Sequence, residues 1–194
     1  MNITRILTIV FFLVAAGLAV FLFTRIKNSI DQDKYIKRVE ERIIDKLKLI
    51  RDLELAYLDA NGQYTSDFDN LISFADSGKI FITERKETII TLDYGADSVS
   101  VEIDTLGSIP VQDSILSKPD YEWINYERLA YVPPNNDKKF ILFADKIDRS
   151  GVMVDVFEAK DPDPINPDRK GKESVRGPLK VGSRTEVTTS GNWE

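Results

Sequence analysis

The sequence predicts an α+β protein, in which a single N-terminal transmembrane helix continues into a long amphipathic helix packed on an antiparallel β-sheet, with an irregular C-terminal tail. Three patterns predict it. Residues 6–23 are 18 consecutive uncharged residues, nearly all apolar. From 33 to 58 apolar residues recur every three or four positions, and between 79 and 158 the period changes to two in several β-branched runs. The organisation that follows is an anchor over 1–27, an amphipathic helix with its sheet over 28–160, and a Pro/Gly-rich extended tail over 161–194.

The apolar run ILTIVFFLVAAGLAVFLF, extended to Ile3 and Ile26, reaches the roughly 20 residues that a helix needs to cross a bilayer core. Arg5 stands before it and Arg25 and Lys27 after it, so cationic ends can reach both interfaces. A cleaved signal peptide is the competing reading. It requires an apolar stretch of about 7–15 residues and then a small-residue cleavage site. Phe21-Leu22-Phe23-Thr24-Arg25-Ile26-Lys27 offers no such site, so an uncleaved single-pass anchor is expected, with the lipid bilayer as its partner. Taken alone, Arg25, Lys27, Lys34, Lys37 and Arg38 outweigh Arg5 and place the large domain in the cytoplasm. The chain has no cysteine, which fits either compartment.

Past the anchor, Ile36, Val39, Ile43, Leu47, Ile50, Leu53 and Tyr57 form one helical stripe. Charged residues fill the other faces, several paired in sign three or four positions apart. Such a helix needs a partner. That partner is either the chain's own sheet or a second copy in a coiled coil, which makes Ile36, Val39, Ile43, Leu47 and Ile50 a candidate protein interface and allows a homo-oligomer through the membrane and juxtamembrane helix.

Asp59-Ala60-Asn61-Gly62 supplies the left-handed residue that closes a helix. Residues 65–69 then read as an N-cap with carboxylates in the first turn of a short helix that Gly78 stops. Residues 79–83, 88–93 and 98–104 read as strands with a turn over Tyr94-Gly95-Ala96-Asp97, and Gly107 and Pro110 are expected to interrupt further pairing. A second group comprises 126–132, 139–145 and 152–158, with 119–123 as a connecting loop or edge. Asp148-Arg149-Ser150-Gly151 is expected to join the last two strands as a hairpin, and their apolar character on both faces suggests central positions. Beyond Lys160, dense proline favours extended chain, expected to be loose, with Val181, Val187 and Trp193 as its apolar anchors and Trp193 as a candidate docking residue.

The helix exit Ala56-Tyr57-Leu58-Asp59-Ala60-Asn61-Gly62-Gln63-Tyr64-Thr65 resembles the end of the long N-terminal helix in type IV pilins and type II secretion pseudopilins. In those families a Tyr near the helix end is followed by Asn-Gly and an aromatic, here Tyr57, Asn61, Gly62 and Tyr64. The order of elements over the first 160 residues is also similar. The resemblance implies a structural subunit in the bacterial inner membrane with its large domain in the periplasm, working with other envelope proteins. The chain departs from the pattern in its anchor. Gly17 is the only glycine there and no Glu falls inside it, so the leader cleavage and the filament contact of a prepilin have no counterpart.

Composition narrows the remaining classes. A net charge of −6 and a pI near 4.9 argue against nucleic acid, which wants a basic face. With no His and no Cys, the commonest general base, the thiol nucleophile and the usual zinc ligands are missing. Gly171-Lys172-Glu173-Ser174 lacks the first glycine of a phosphate loop, which is Asn166 here, and Ser150 or Ser174, near lysines, can be nominated for a Ser/Lys site but are not set apart by spacing from any other serine. Asp161, Asp163, Asn166 and Asp168 cluster but read as solvated loop rather than a calcium cage. No cofactor and no enzymatic activity are expected. Two classes remain: a structural docking subunit, or a tethered ligand-binding module whose pocket is lined by Tyr94, Trp123, Tyr126 and Tyr131.

Overall fold

The computed structural model describes residues 3–91, 97–135, 137–171 and 176–194, and the protein is α+β as expected. Contacts divide the chain into two units, Met1–Glu41 and Arg42–Glu194. Helix α1, Ile3–Asn61, contributes residues to both.

In the first unit α1 carries one candidate membrane-spanning stretch near the N-terminus, with mean hydropathy 2.0 and no part of it covered by protein. Leu7, Phe11, Phe12, Leu13, Leu18, Phe21, Leu22 and Phe23 are all exposed. At its end Thr24 Oγ1 donates to the Phe21 carbonyl at 2.8 Å and the Arg25 guanidinium lies 5.3 Å from the Phe21 ring centroid. The stretch therefore closes on an aromatic–cation pair of the kind that suits an interface. The Arg5 side chain, expected at the opposite boundary, lies outside the described residues.

In the second unit the last turns of α1 are buried over about half their circumference. One buried row is Ile43, Leu47, Ile50 and Glu54, and the next is Lys46, Leu49, Leu53 and Ala56. The helix ends as its residues dictate. Gly62 takes φ 75 and its N–H donates to the Leu58 carbonyl at 2.7 Å, while Asn61 Nδ2 donates to the Tyr57 carbonyl. Helix α2, Phe68–Ser77, is capped by the Asp67 carboxylate, which accepts from the Asp69 N–H, and stops where the Gly78 N–H donates to the Phe74 carbonyl.

Two antiparallel sheets follow. The first is a two-stranded ribbon of β1, Lys79–Thr91, and β2, Asp97–Pro110, in register from Lys79↔Pro110 to Thr91↔Asp97 with an irregularity between Ile82 and Thr83. Two expectations are corrected here. The charged residues 84–87 do not separate two strands, because a ribbon open on both faces accepts charge on either. Gly107 and Pro110 do not end pairing either: Gly107 pairs with Ile82 and Pro110 occupies the last position of a strand with one free edge, where no donor is needed. The expected turn at Tyr94-Gly95-Ala96-Asp97 falls, except for Asp97, outside the described residues.

The second sheet has the order β3-β4-β5, with β3 Ile141–Arg149, β4 Val152–Lys160 and β5 Lys180–Gly182. The expected hairpin turn is present: Ser150 and Gly151 take φ 56 and 86, and the Asp148 carboxylate accepts from the Gly151 N–H at 2.7 Å. Only β4 is central, with Val156, Phe157, Glu158 and Ala159 buried on both faces; β3 is an edge strand with half its length exposed, since no described residue pairs on its far side.

Residues 126–132 are not a strand. From Val111 to Val132 the chain winds through a π-helical turn, Gln112–Leu116, and two 3-10 turns, Pro119–Tyr121 and Tyr126–Arg128, and buries Val111, Ile115, Tyr121, Ile124, Leu129, Ala130 and Val132. Lys118 Nζ and the Tyr121 hydroxyl both donate to Asp52 on α1, at 2.7 and 3.0 Å. The tail is irregular yet packed. β5 pairs with β4, Leu179 and Val181 are buried, Asn192 bonds the backbone at Arg176, Pro178 and Lys180, and Glu194 accepts from Arg51 on α1 at 2.7 Å.

Candidate docking surfaces

The residues singled out in the sequence divide into core and surface. Ile43, Leu47 and Ile50 are fully buried and belong to the core of the second unit; in the first unit Val39 is buried and Ile36 half-buried. The four helix-exit residues hold the fold together: Tyr57 meets Phe74 edge to face at 5.3 Å, Asn61 and Gly62 close the helix, and Tyr64 packs on Phe157 at 4.8 Å. Trp193 is half-buried with its ring over Gly191, leaving no room there for a β-carbon.

The aromatic residues nominated for a ligand pocket are aimed apart. Trp123 is 47% exposed, the Tyr126 hydroxyl donates to Asp76 at 3.1 Å, and the Tyr131 ring faces Lys139 at 5.4 Å. Tyr94 lies outside the described residues.

Two surface features were not read from the sequence. The first is the β1–β2 ribbon. Its register puts Glu84, Lys86, Glu102 and Asp104 on one face, where Lys86 bridges to Asp104 at 3.1 Å and to Glu84 at 3.4 Å. The opposite face carries Val101 and Ile103, the latter 64% exposed, with Glu87 and Arg85 as their register partners, and Leu106 at the irregularity is 65% exposed. Exposed apolar side chains gathered on one element mark an interaction surface more often than a resting one.

The second is a groove of about 190 Å³ lined by Arg42, Lys46, Trp123, Arg128, Pro133 and Pro134. Lys46 forms its floor and is 5% exposed; its Nζ donates to the carbonyls of Arg128 and Tyr131 at 2.9 and 2.8 Å. Burial, and then the neighbouring Arg128 cation, pull the ammonium down to about 8. Arg42 and Arg128 are exposed, and neither makes an ion pair among the described residues. A lysine buried under two arginines was hidden in the sequence, because positions 42 and 46 read as the solvated side of an amphipathic helix.

Elsewhere the buried charges are structural. Glu54 is fully buried; its Oε2 accepts from the Thr65 N–H at 3.0 Å, Oε1 has no partner among the described residues, and burial pushes the carboxyl up to about 8. Glu158 is held by Arg184 at 2.9 Å and Lys180 at 3.2 Å. The acidic cluster expected to be a solvated loop is partly buried: Asp161 is 1% exposed, its Oδ1 and the Asn166 side chain accept from the N–H groups of Asp163 and Asp168, its Oδ2 has no partner among the described residues, and Asp163 pairs with Lys138 and Lys170. Among the described residues no group of three or more carboxylates is placed to hold a metal ion. Ser150 is a hairpin-turn residue, while Lys172, Glu173 and Ser174 lie outside the described residues.

Compared with known proteins, the chain matches no family model. No curated protein and no solved structure matches it either.

Proposed function

We propose that the chain is a single-pass, membrane-anchored structural subunit of a bacterial envelope assembly of the secretion, motility or pilus-like kind, with its large domain in the periplasm, acting by protein–protein docking. One observation carries the proposal. Helix α1 exposes a stretch of mean hydropathy 2.0 with no protein cover, yet the same helix supplies Ile43, Leu47, Ile50 and Leu53 to the core of a folded unit. A bilayer satisfies the first part. The second part leaves the unit tethered with its own core complete, so its work falls to surfaces such as the ribbon. Periplasmic placement and envelope partners rest on the pilin-like helix exit.

Photo-crosslinking in intact cells tests the docking. A benzophenone side chain at Val101 or Ile103 is expected to give a discrete adduct that is lost in Val101→Asp/Ile103→Asp; no adduct from any ribbon position contradicts the reading. Ser150→Cys, the sole thiol of that variant, tests topology. Labelling by a membrane-impermeant reagent in cells with a permeabilised outer membrane is expected, and labelling only after the inner membrane is broken places the domain in the cytoplasm instead.

A further inference from the structure

We infer that the groove between α1 and the Trp123–Pro134 segment is a docking site for an acidic peptide segment of a protein partner. Its walls present three cations, Arg42, Lys46 and Arg128, and no carboxylate, on a chain whose formal charge is −6. Glu122 and Glu127, next to Trp123 and Arg128 in the chain, are exposed and do not line the groove. Asp45, one residue before Lys46, pairs with Lys48 at 3.6 Å, and Asp52, two turns on, is taken by Lys118 and Tyr121. Two guanidiniums left without an ion pair beside a buried ammonium repel one another, and a carboxylate entering the groove relieves that repulsion.

The size of the groove sets the scale of its occupant. About 190 Å³ is below the range of roughly 300–1,000 Å³ usual for whole small-molecule ligands, and suits one or two side chains of a peptide. Arg42 and Arg128 offer planar forks for carboxylates, which they bind in bidentate fashion. Trp123, 47% exposed, and Pro133 and Pro134 add a rigid apolar wall against which a peptide backbone can lie. Lys46 already gives two of its three N–H donors to carbonyls and is fixed in place with one left over.

The inference rests on the docking role proposed above and names the chemistry of a partner for it. The full chain, carrying Trp193→Phe so that Trp123 is the only indole, is reconstituted in neutral phosphatidylcholine nanodiscs and titrated with an acetylated, amidated Glu-Asp-Glu-Glu-Asp-Gly peptide. A saturable change in Trp123 emission is expected. It weakens at least tenfold in Arg42→Gln/Arg128→Gln, weakens with rising salt, and stays within twofold in Lys79→Gln/Lys86→Gln, which removes the same charge from the ribbon. The Gln/Asn counterpart of the peptide produces no saturable change. The inference is overturned by the absence of saturation, by equal losses in the two double variants, by inorganic phosphate saturating at the same concentration as the peptide, or by a response only to vesicles containing phosphatidylglycerol. Failure here with ribbon adducts still forming removes the groove and leaves the docking role; saturation without any ribbon adduct keeps the groove and removes the ribbon as the docking surface.

Discussion

At the scale of single residues, Glu54 and Lys46 give the fold an unusual dependence on pH. Glu54 holds its proton more tightly folded than unfolded, since burial raises its carboxyl from 4.5 to about 8. Between about pH 4.5 and 8 the native state therefore binds more protons than the unfolded one, and stability falls as pH rises, by at most about 1.4 kcal/mol per pH unit. Lys46 acts in the opposite sense. Its ammonium is depressed from 10.5 to about 8, so between about pH 8 and 10.5 the unfolded state binds more protons and stability rises with pH. Urea unfolding across pH 5 to 10 is expected to show a minimum near pH 8. Glu54→Gln removes the descending limb and is more stable than the parent at pH 8; an unchanged slope in that variant contradicts the assignment. Neither residue stood out in the sequence, because charged positions on an amphipathic helix read as solvated. Burial followed from the winding segment 111–132 and from Thr65, which close over the helix from outside its apolar stripe.

Gly182 and Gly62 make a controlled comparison. Both have φ near +75, but a β-carbon at Gly62 meets open space, whereas at Gly182 it meets the Phe157 carbonyl oxygen. Gly62→Ala is expected to cost about 1 kcal/mol from conformation alone. Gly182→Ala adds a clash with backbone that cannot move aside, for a total of roughly 2 kcal/mol or more. Equal midpoint shifts in denaturant titrations would show that the tail does not close on β4 as described.

Among the elements, those with local punctuation were legible in the sequence. The Asn61-Gly62 exit, the Asp67 cap and the Ser150-Gly151 hairpin are specified by residues whose side chains or conformational freedom make the turn themselves. Elements made by tertiary contact were not. β5 has only three residues, too few for any period, and exists because β4 offers an edge and Asn192 completes the backbone bonds of Lys180. The turns of 111–132 bury apolar residues at irregular spacing and so resembled a loop and a strand. Leu179→Ala tests whether the tail is part of the cooperative unit: a loss of about 2–5 kcal/mol is expected of a fully buried leucine, and an unchanged midpoint would return the tail to a loose terminus. The ribbon is predicted to behave oppositely. Val101→Asp/Ile103→Asp, on exposed positions, changes unfolding free energy by about 0.5 kcal/mol or less while abolishing the ribbon adducts.

For the whole molecule, the sequence pointed to an anchor, a helix and a sheet, and the candidate span and the α+β fold agree with that reading. The candidate interface moved. Ile43, Leu47 and Ile50 serve the core, and the surfaces proposed for a partner are the ribbon face with Val101 and Ile103 and the cationic groove, neither of which a one-dimensional pattern displays. In this account a bilayer covers the apolar stretch of α1 and leaves the second unit free to dock. Alkaline carbonate extraction of membranes from cells expressing the full chain tests that claim most directly, with mass measurement of the recovered protein. The account predicts that the intact chain, including residues 1–27, stays in the membrane pellet; recovery in the supernatant, or of a chain cleaved after the apolar stretch, would contradict it.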